Sequence, residues 1–252
     1  MSNLDKFFCA LESDLAWRKK EVSNLLLLCD DSNREIIIKS AILLIYAHWE
    51  GYVKNSCKCY LEYVSQKSIL ITELTDNFRA ISLKGEIRQM MGSQESLTLS
   101  NELSFLLSLN GQKPKQFKVG RNFKNDEKDK SIVNTRDNLN YKVFNSLLDI
   151  VGIGRRPCLD SKEVFLDEKL LNNRNKIAHG NKINTSDNEF NLEIEDVKRI
   201  KDLVFIILGS LMDDLEYYAE KEFYLQENIA SSGDYNEKGN DCLNENLKNL
   251  FS

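Results

Sequence analysis

Hydrophobic positions recur at helical spacing towards both ends of the chain and lose that rhythm in the middle. Residues 3–29 place Leu4, Phe7, Leu11, Leu15, Val22 and Leu25 on one face, which predicts an amphipathic helix. The polar run Asp30-Asp31-Ser32-Asn33 interrupts it with turn and N-cap chemistry. A longer helix follows over 34–66, where Ile38, Ile42, Ile45, Trp49, Tyr52 and Val53 form the stripe that a bundle helix buries, with the first helix as its partner. A third long helix is predicted over 194–227, on the stripe Val197, Ile200, Val204, Ile207, Leu211 and Leu215.

Shorter helices are predicted at 138–151, ending at Gly152 and Gly154, and at 165–178, ending at Gly180, a residue type suited to the left-handed conformation past a helix end. Between 67 and 137 the pattern weakens to short helices near 87–91 and 97–109, so this stretch reads as an elaboration inserted into the bundle. The expected organisation is one all-α helical domain over 1–228, with 67–137 as the insertion and 229–252 as a loosely ordered tail.

Composition agrees with an all-α chain. Only 2 prolines and 11 glycines in 252 residues leave room for long uninterrupted helices. The net charge of -5 argues against a protein that coats nucleic acid by replacing phosphate counterions with many cations, but it permits a local basic cleft. Residues 113–130 carry Lys113, Lys115, Lys118, Arg121, Lys124, Lys128 and Lys130 against Asp126, Glu127 and Asp129, a local excess of 4 positive charges. That segment is either a guide for a phosphate backbone or a solvated charged loop.

Six cysteines show neither a CxxC pair nor zinc spacing with histidine, so they read as reduced, mostly buried thiols. The first 20 residues lack the apolar core and cleavage site of a secretory signal, and the longest apolar stretches, 41–47 and 203–208, fall short of a span of about 20 residues. A cytoplasmic location is expected. No P-loop, HExxH, nucleophile elbow or zinc framework appears, and no cofactor or metal is expected.

Candidate chemistry concentrates on the only 2 histidines, His48 and His179. His48 sits beside Glu50 and Lys54, which are four apart and able to pair on one helix face; a structural helix rim is the alternative reading. His179 ends its helix, where a cation is favoured by the helix dipole, and Arg174 five residues earlier can be read as a surface arginine. On a regular helix those two positions differ by about 140° and roughly 7.5 Å along the axis, so they do not converge unaided.

The string Arg174-Asn175-Lys176-Ile177-Ala178-His179-Gly180 resembles the Rx4-6H motif of HEPN domains, with Asn175 at the small polar position of that motif. The upstream Ala47-His48-Trp49-Glu50-Gly51, and Thr135-Arg136-Asp137-Asn138-Leu139-Asn140, resemble stretches of stand-alone bacterial HEPN-like ribonucleases. The resemblance covers 36–66 and 135–215. It implies a HEPN-type helical bundle and a metal-independent endoribonuclease, a toxin or antiphage defence effector acting on RNA with a possible antitoxin or defence partner protein. It also implies a homodimer with a composite cleft, in which Arg174 and His179 are catalytic. Asn175 is expected to orient phosphate or histidine, and Glu50, His48 and Lys54 to support the site. A non-catalytic HEPN module that binds RNA, nucleotide or protein is the second reading, and a helical scaffold in which the motif only caps a helix is the third. A related subtype carries a modified tyrosine two residues beyond the histidine; Asn181 stands there, so that regulation is not carried over.

Overall fold

The computed structural model describes residues 1–92, 100–109, 115–180 and 192–251. Its helices are α1 (Asn3–Leu27), α2 (Arg34–Gln66), α3 (Asp76–Gly92), α4 (Ser100–Leu109), α5 (Tyr141–Val151), the single turn α6 (Glu163–Phe165), α7 (Asn173–Ala178), α8 (Ile194–Glu220) and α9 (Ser232–Phe251). A π-helical stretch, Leu166–Asn172, joins α6 to α7. Among the described residues β-pairing is confined to two isolated antiparallel bridges, Leu70 with Gln116 and Leu74 with Leu225, so the fold is all-α as expected.

Local chemistry sets the helix ends. Ser2 and Asp5 form a reciprocal capping box that starts α1. Asp30 gathers the Ser32 and Asn33 backbone N–H groups in the turn before α2, and the Asn140 side chain caps α5 by accepting from Val143 N at 2.9 Å. Gly152 closes α5 at φ 77°. The third long helix predicted, α8, stops at Glu220 rather than near 227, because Glu222 turns left-handed at φ 55° and the next residues leave to pair with the 70–75 segment, Thr75 N donating to Tyr224 O at 3.0 Å.

α2 is the central helix, packed by α1, α5, α7 and α8. Tyr52, Val53, Cys57 and Tyr60 on it are fully enclosed, as are Leu11 from α1 and Val197, Val204 and Leu215 from α8. By length and hydropathy α2 would suffice to cross a membrane, a property it shares with core helices of bundles; here its apolar face is buried in the core.

The elaborated middle holds more helix than its pattern predicts. α3 begins at Asp76, and its Phe78 packs edge-on against Phe117 at 5.1 Å between ring centres. Phe117 and Phe123 are both buried, so the basic segment is anchored rather than free. Several of its cations are engaged: Lys118 Nζ donates to Ser65 O at 3.0 Å and Ser68 Oγ at 2.6 Å, Lys115 pairs with Glu86, and Lys130 pairs with Asp137. Lys113 lies outside the described residues.

The expected loose tail is instead the docked helix α9. Leu243 and Leu247 are buried against α8, and a polar seam reinforces them: Arg156 pairs with Asp214 of α8, donates to Asn236 O at 2.9 Å, and Tyr235 Oη donates to the same Asp214 oxygen at 3.0 Å. The cysteines divide differently from the expectation too. Cys57 and Cys59 are buried, Cys29 and Cys158 half-buried, and Cys9 and Cys242 exposed, all as free thiols.

Candidate active site

The site is built where α7 lies against α2. α7 is short, and the π-helical stretch before it widens the turn at Leu166–Asn172, an irregularity that often accompanies functional positions in helices. Leu166, Leu170 and Leu171 anchor this stretch in the core, and the buried Asn173 side chain donates to Lys169 O at 2.8 Å, fixing the start of α7.

Arg174 is half-buried, with its guanidinium carbon 4.3 Å from the centre of the Tyr46 ring, and Nη1 donates to Asn175 Oδ1 at 2.8 Å. The pairing of adjacent residues turns the Asn175 amide towards the arginine rather than into solvent. His179 forms the C-cap of α7, its N–H donating to Asn175 O at 3.0 Å, and its side chain is exposed. Gly180 then takes φ 69°, a left-handed conformation that glycine adopts at no steric cost. Among the described residues no hydrogen bond or ion pair joins Arg174 to His179, as their spacing on one helix predicts.

The face opposite Arg174 is assembled from α2 and residues 134–139. Tyr46 is buried, and its hydroxyl accepts the Leu139 N–H at 2.8 Å, while Trp49 Nε1 donates to Leu139 O at 3.0 Å; one backbone residue is thus stitched to two aromatic side chains of α2. Thr135 Oγ1 donates to Glu50 Oε1 at 2.5 Å. Between these contacts Arg136 and Asp137 are consecutively left-handed, at φ 57° and 56°, a conformation that non-glycine residues adopt at a cost. Burial, then the neighbouring Glu50 carboxylate, pushes the Tyr46 phenol up to about 12, so it stays protonated and able to donate at neutral pH. The exposed Asp137 carboxyl is held below its ordinary value by Lys130, with smaller contributions from Lys54 and Arg174, which marks a cationic patch at this rim.

The supporting residues expected from sequence separate. Glu50 stands beside Tyr46 and is bound by Thr135. Lys54 does not pair with Glu50; its ammonium donates to Glu127 O at 2.9 Å. His48 points to the other side of α2, towards α1, where it is 3% exposed. Arg18 Nη1 donates to its Nδ1 at 3.2 Å, and Nε2 lies 2.9 Å from Glu21 Oε2, which selects the neutral Nε2–H tautomer. Burial first, and then the Arg18 charge, lower its pKa. His48 is therefore a strut between α1 and α2, the structural reading of that histidine, and does not reach Arg174.

Sequence reasoning missed Tyr46, Thr135 and Asp137 as parts of this site. Tyr46 sits within an apolar stripe and reads as core, although the resemblance over 135–140 did mark the segment that carries the other two. No group of three or more His, Cys, Asp or Glu among the described residues is arranged to hold a metal ion.

The profile of a family described as MAE_28990-like HEPN matches residues 8–224. No curated protein matches the chain, and no solved structure does. The matched stretch includes α2, the 134–139 segment, α7 and α8, and stops before α9. With that match and an all-α bundle that carries the Arg174–His179 string on α7, the chain belongs to the HEPN family.

Proposed function

We propose that the protein is an endoribonuclease that cleaves RNA with Arg174 and His179, and that it acts as a C2 homodimer in the cytoplasm. The observation that carries this reading is the pairing of a half-buried arginine, held by its face and at one amide, with an exposed histidine at the end of the same short helix.

In the reaction, the 2'-oxygen of a ribose attacks the adjacent phosphorus. The 2'-O–P bond forms and the P–O5' bond breaks, and the products are a 2',3'-cyclic phosphate and a free 5'-hydroxyl. One proton leaves the 2'-hydroxyl and one is delivered to the departing 5'-oxygen, and an imidazole can serve either transfer near neutral pH. Arginine stabilises the charge that develops on the phosphoryl oxygens. Each protomer supplies one histidine at the motif, so a two-fold related pair provides both proton-transfer groups.

The surface of α2 supports the dimer. Ile36 (68% exposed), Leu43 (37%) and Ala47 project from one face of the helix, at the spacing of seven and then four residues that keeps them aligned. The same face continues to Glu50 and Lys54 at the border of the site. Two copies joined along this stripe bring both α7 helices to one groove. The role of toxin or defence effector, and an antitoxin or defence partner, belong to the same reading and come from family resemblance.

The test is cleavage of structured and unstructured RNA in the presence of a chelator, with analysis of the ends. The reading expects 2',3'-cyclic phosphate and 5'-hydroxyl termini and no cleavage of DNA. RNA that binds at this cleft and survives intact would identify a non-catalytic HEPN module instead.

A further inference from the structure

Arg174 is held in an unusual way for a half-buried cation. Among the described residues no carboxylate lies within ion-pair distance of it; its one hydrogen-bond acceptor is the neutral amide of Asn175, and its face rests on Tyr46. Glu50, the nearest acid on α2, is instead taken by Thr135 and stands beside the Tyr46 hydroxyl. The difference matters chemically. A carboxylate pairs with a guanidinium through its edge N–H groups, the same groups that recognise phosphate, whereas an aromatic ring engages the face and leaves the edge open.

We propose that Tyr46 is the positioning residue of the site: a fixed aromatic platform that orients the Arg174 guanidinium by its face and leaves the edge N–H groups not donated to Asn175 open for a phosphodiester of RNA. This rests on the function proposed above for Arg174. The platform itself is immobilised at its far end. Its hydroxyl accepts from Leu139 N–H at 2.8 Å and faces the Glu50 carboxylate, which Thr135 orients in turn. The left-handed turn at Arg136 and Asp137 delivers both Thr135 and Leu139 to α2, so the strained backbone there has a purpose in setting the ring plane. Three layers follow: a turn that fixes a phenol, a phenol that fixes a guanidinium, and a guanidinium that meets phosphate.

Tyr46→Phe keeps the face and removes the hydroxyl tether, whereas Tyr46→Leu removes the face. In wild type, the Arg174 side-chain protons, assigned through loss of their signals in Arg174→Lys, should be shifted upfield by the ring current and should show restricted motion by 15N relaxation. The shift should persist in Tyr46→Phe with increased mobility and vanish in Tyr46→Leu. In parallel, RNA affinity should fall about tenfold in Tyr46→Leu, the scale of a partly desolvated cation–π contact, and by less in Tyr46→Phe. Combined with Arg174→Ala, Tyr46→Leu should cost nothing further, because a platform without its cation has no work left. Arg174 resonances at ordinary positions in wild type, or equal losses from Tyr46→Leu with and without Arg174, would overturn the proposal. The wild-type shift stands as a test even if Tyr46→Leu does not fold. An intact ring-current shift in a protein whose RNA cleavage survives Arg174→Ala would leave the platform standing and refute the function assigned to Arg174.

Discussion

The seam that docks α9 carries a charge pair that makes a pH-dependent prediction. Arg156 and Asp214 are 3% and 4% exposed and bind one another directly, and Tyr235 donates to the same carboxylate. Burial raises the Asp214 carboxyl to about 6 even though Arg156 opposes the shift. Arg156→Met removes the opposing charge, so the carboxyl of the variant rises further. The sign follows from proton counts. The unfolded aspartate, with a pKa of about 3.9, is ionised through neutral pH, while the folded variant keeps its proton there; the folded state binds more protons, and its stability falls as pH rises.

Each pH unit over which that difference is complete is worth about 1.4 kcal/mol. Wild type loses this contribution by about pH 6, and the variant goes on losing it above. Urea unfolding should therefore show a gap between the two that is smallest near pH 5 and wider by about 1–2 kcal/mol at pH 8. At pH 8 the total should reach about 3–5 kcal/mol, the cost of leaving one member of a buried pair alone. The double variant Arg156→Met/Asp214→Leu should recover most of it and lose the pH dependence. A gap that stays constant from pH 5 to pH 8, or a single-variant loss below about 1 kcal/mol at pH 8, would refute the buried-pair account.

Other outcomes follow from the same structure. Leu43→Arg places a charge in the exposed stripe of α2 and should give a folded monomer that no longer cleaves RNA; sedimentation that still shows a dimer would remove this stripe from the interface. Gly152→Ala should cost about 1–3 kcal/mol in thermal unfolding, since φ is 77° and an added Cβ would meet Asn77 Nδ2 at 2.8 Å; unchanged stability would show that the turn relaxes freely. Thr135→Val removes a donor from Glu50 and should destabilise by about 1–2 kcal/mol, with a larger proportional effect on RNA binding than on folding; a purely thermal effect would confine Thr135 to structure.

The strongly periodic parts of this fold were legible in the sequence, and the parts built from tertiary contact were not. α2 carries a continuous stripe over 33 residues, and its bounds Arg34–Gln66 agree with the pattern. α9 concentrates its aliphatic residues, Leu243, Leu247 and the half-buried Leu250, in its second half among asparagines and charges, too short a stretch for a pattern to register. Its docking depends on Asn236, Asn240 and Tyr235 meeting partners about 80 residues away or on α8, which no local rule contains. α3 has the same difficulty, since Phe78 and Leu83 do the packing of a helix whose other positions are mixed. At the site, the motif residues Arg174, Asn175 and His179 were recognisable because the string is local. Tyr46 was hidden because a buried aromatic in an apolar stripe serves packing and positioning alike, and only the guanidinium on its face tells the two apart.

The most direct test of the central claim compares wild type, Arg174→Ala and His179→Ala for RNA cleavage in chelator, with each variant first shown to keep the oligomeric state and unfolding midpoint of wild type. His179 is exposed, so its removal should leave the fold intact and abolish cleavage, and Arg174→Ala should do the same. Cleavage that persists at the wild-type rate in His179→Ala would contradict the account.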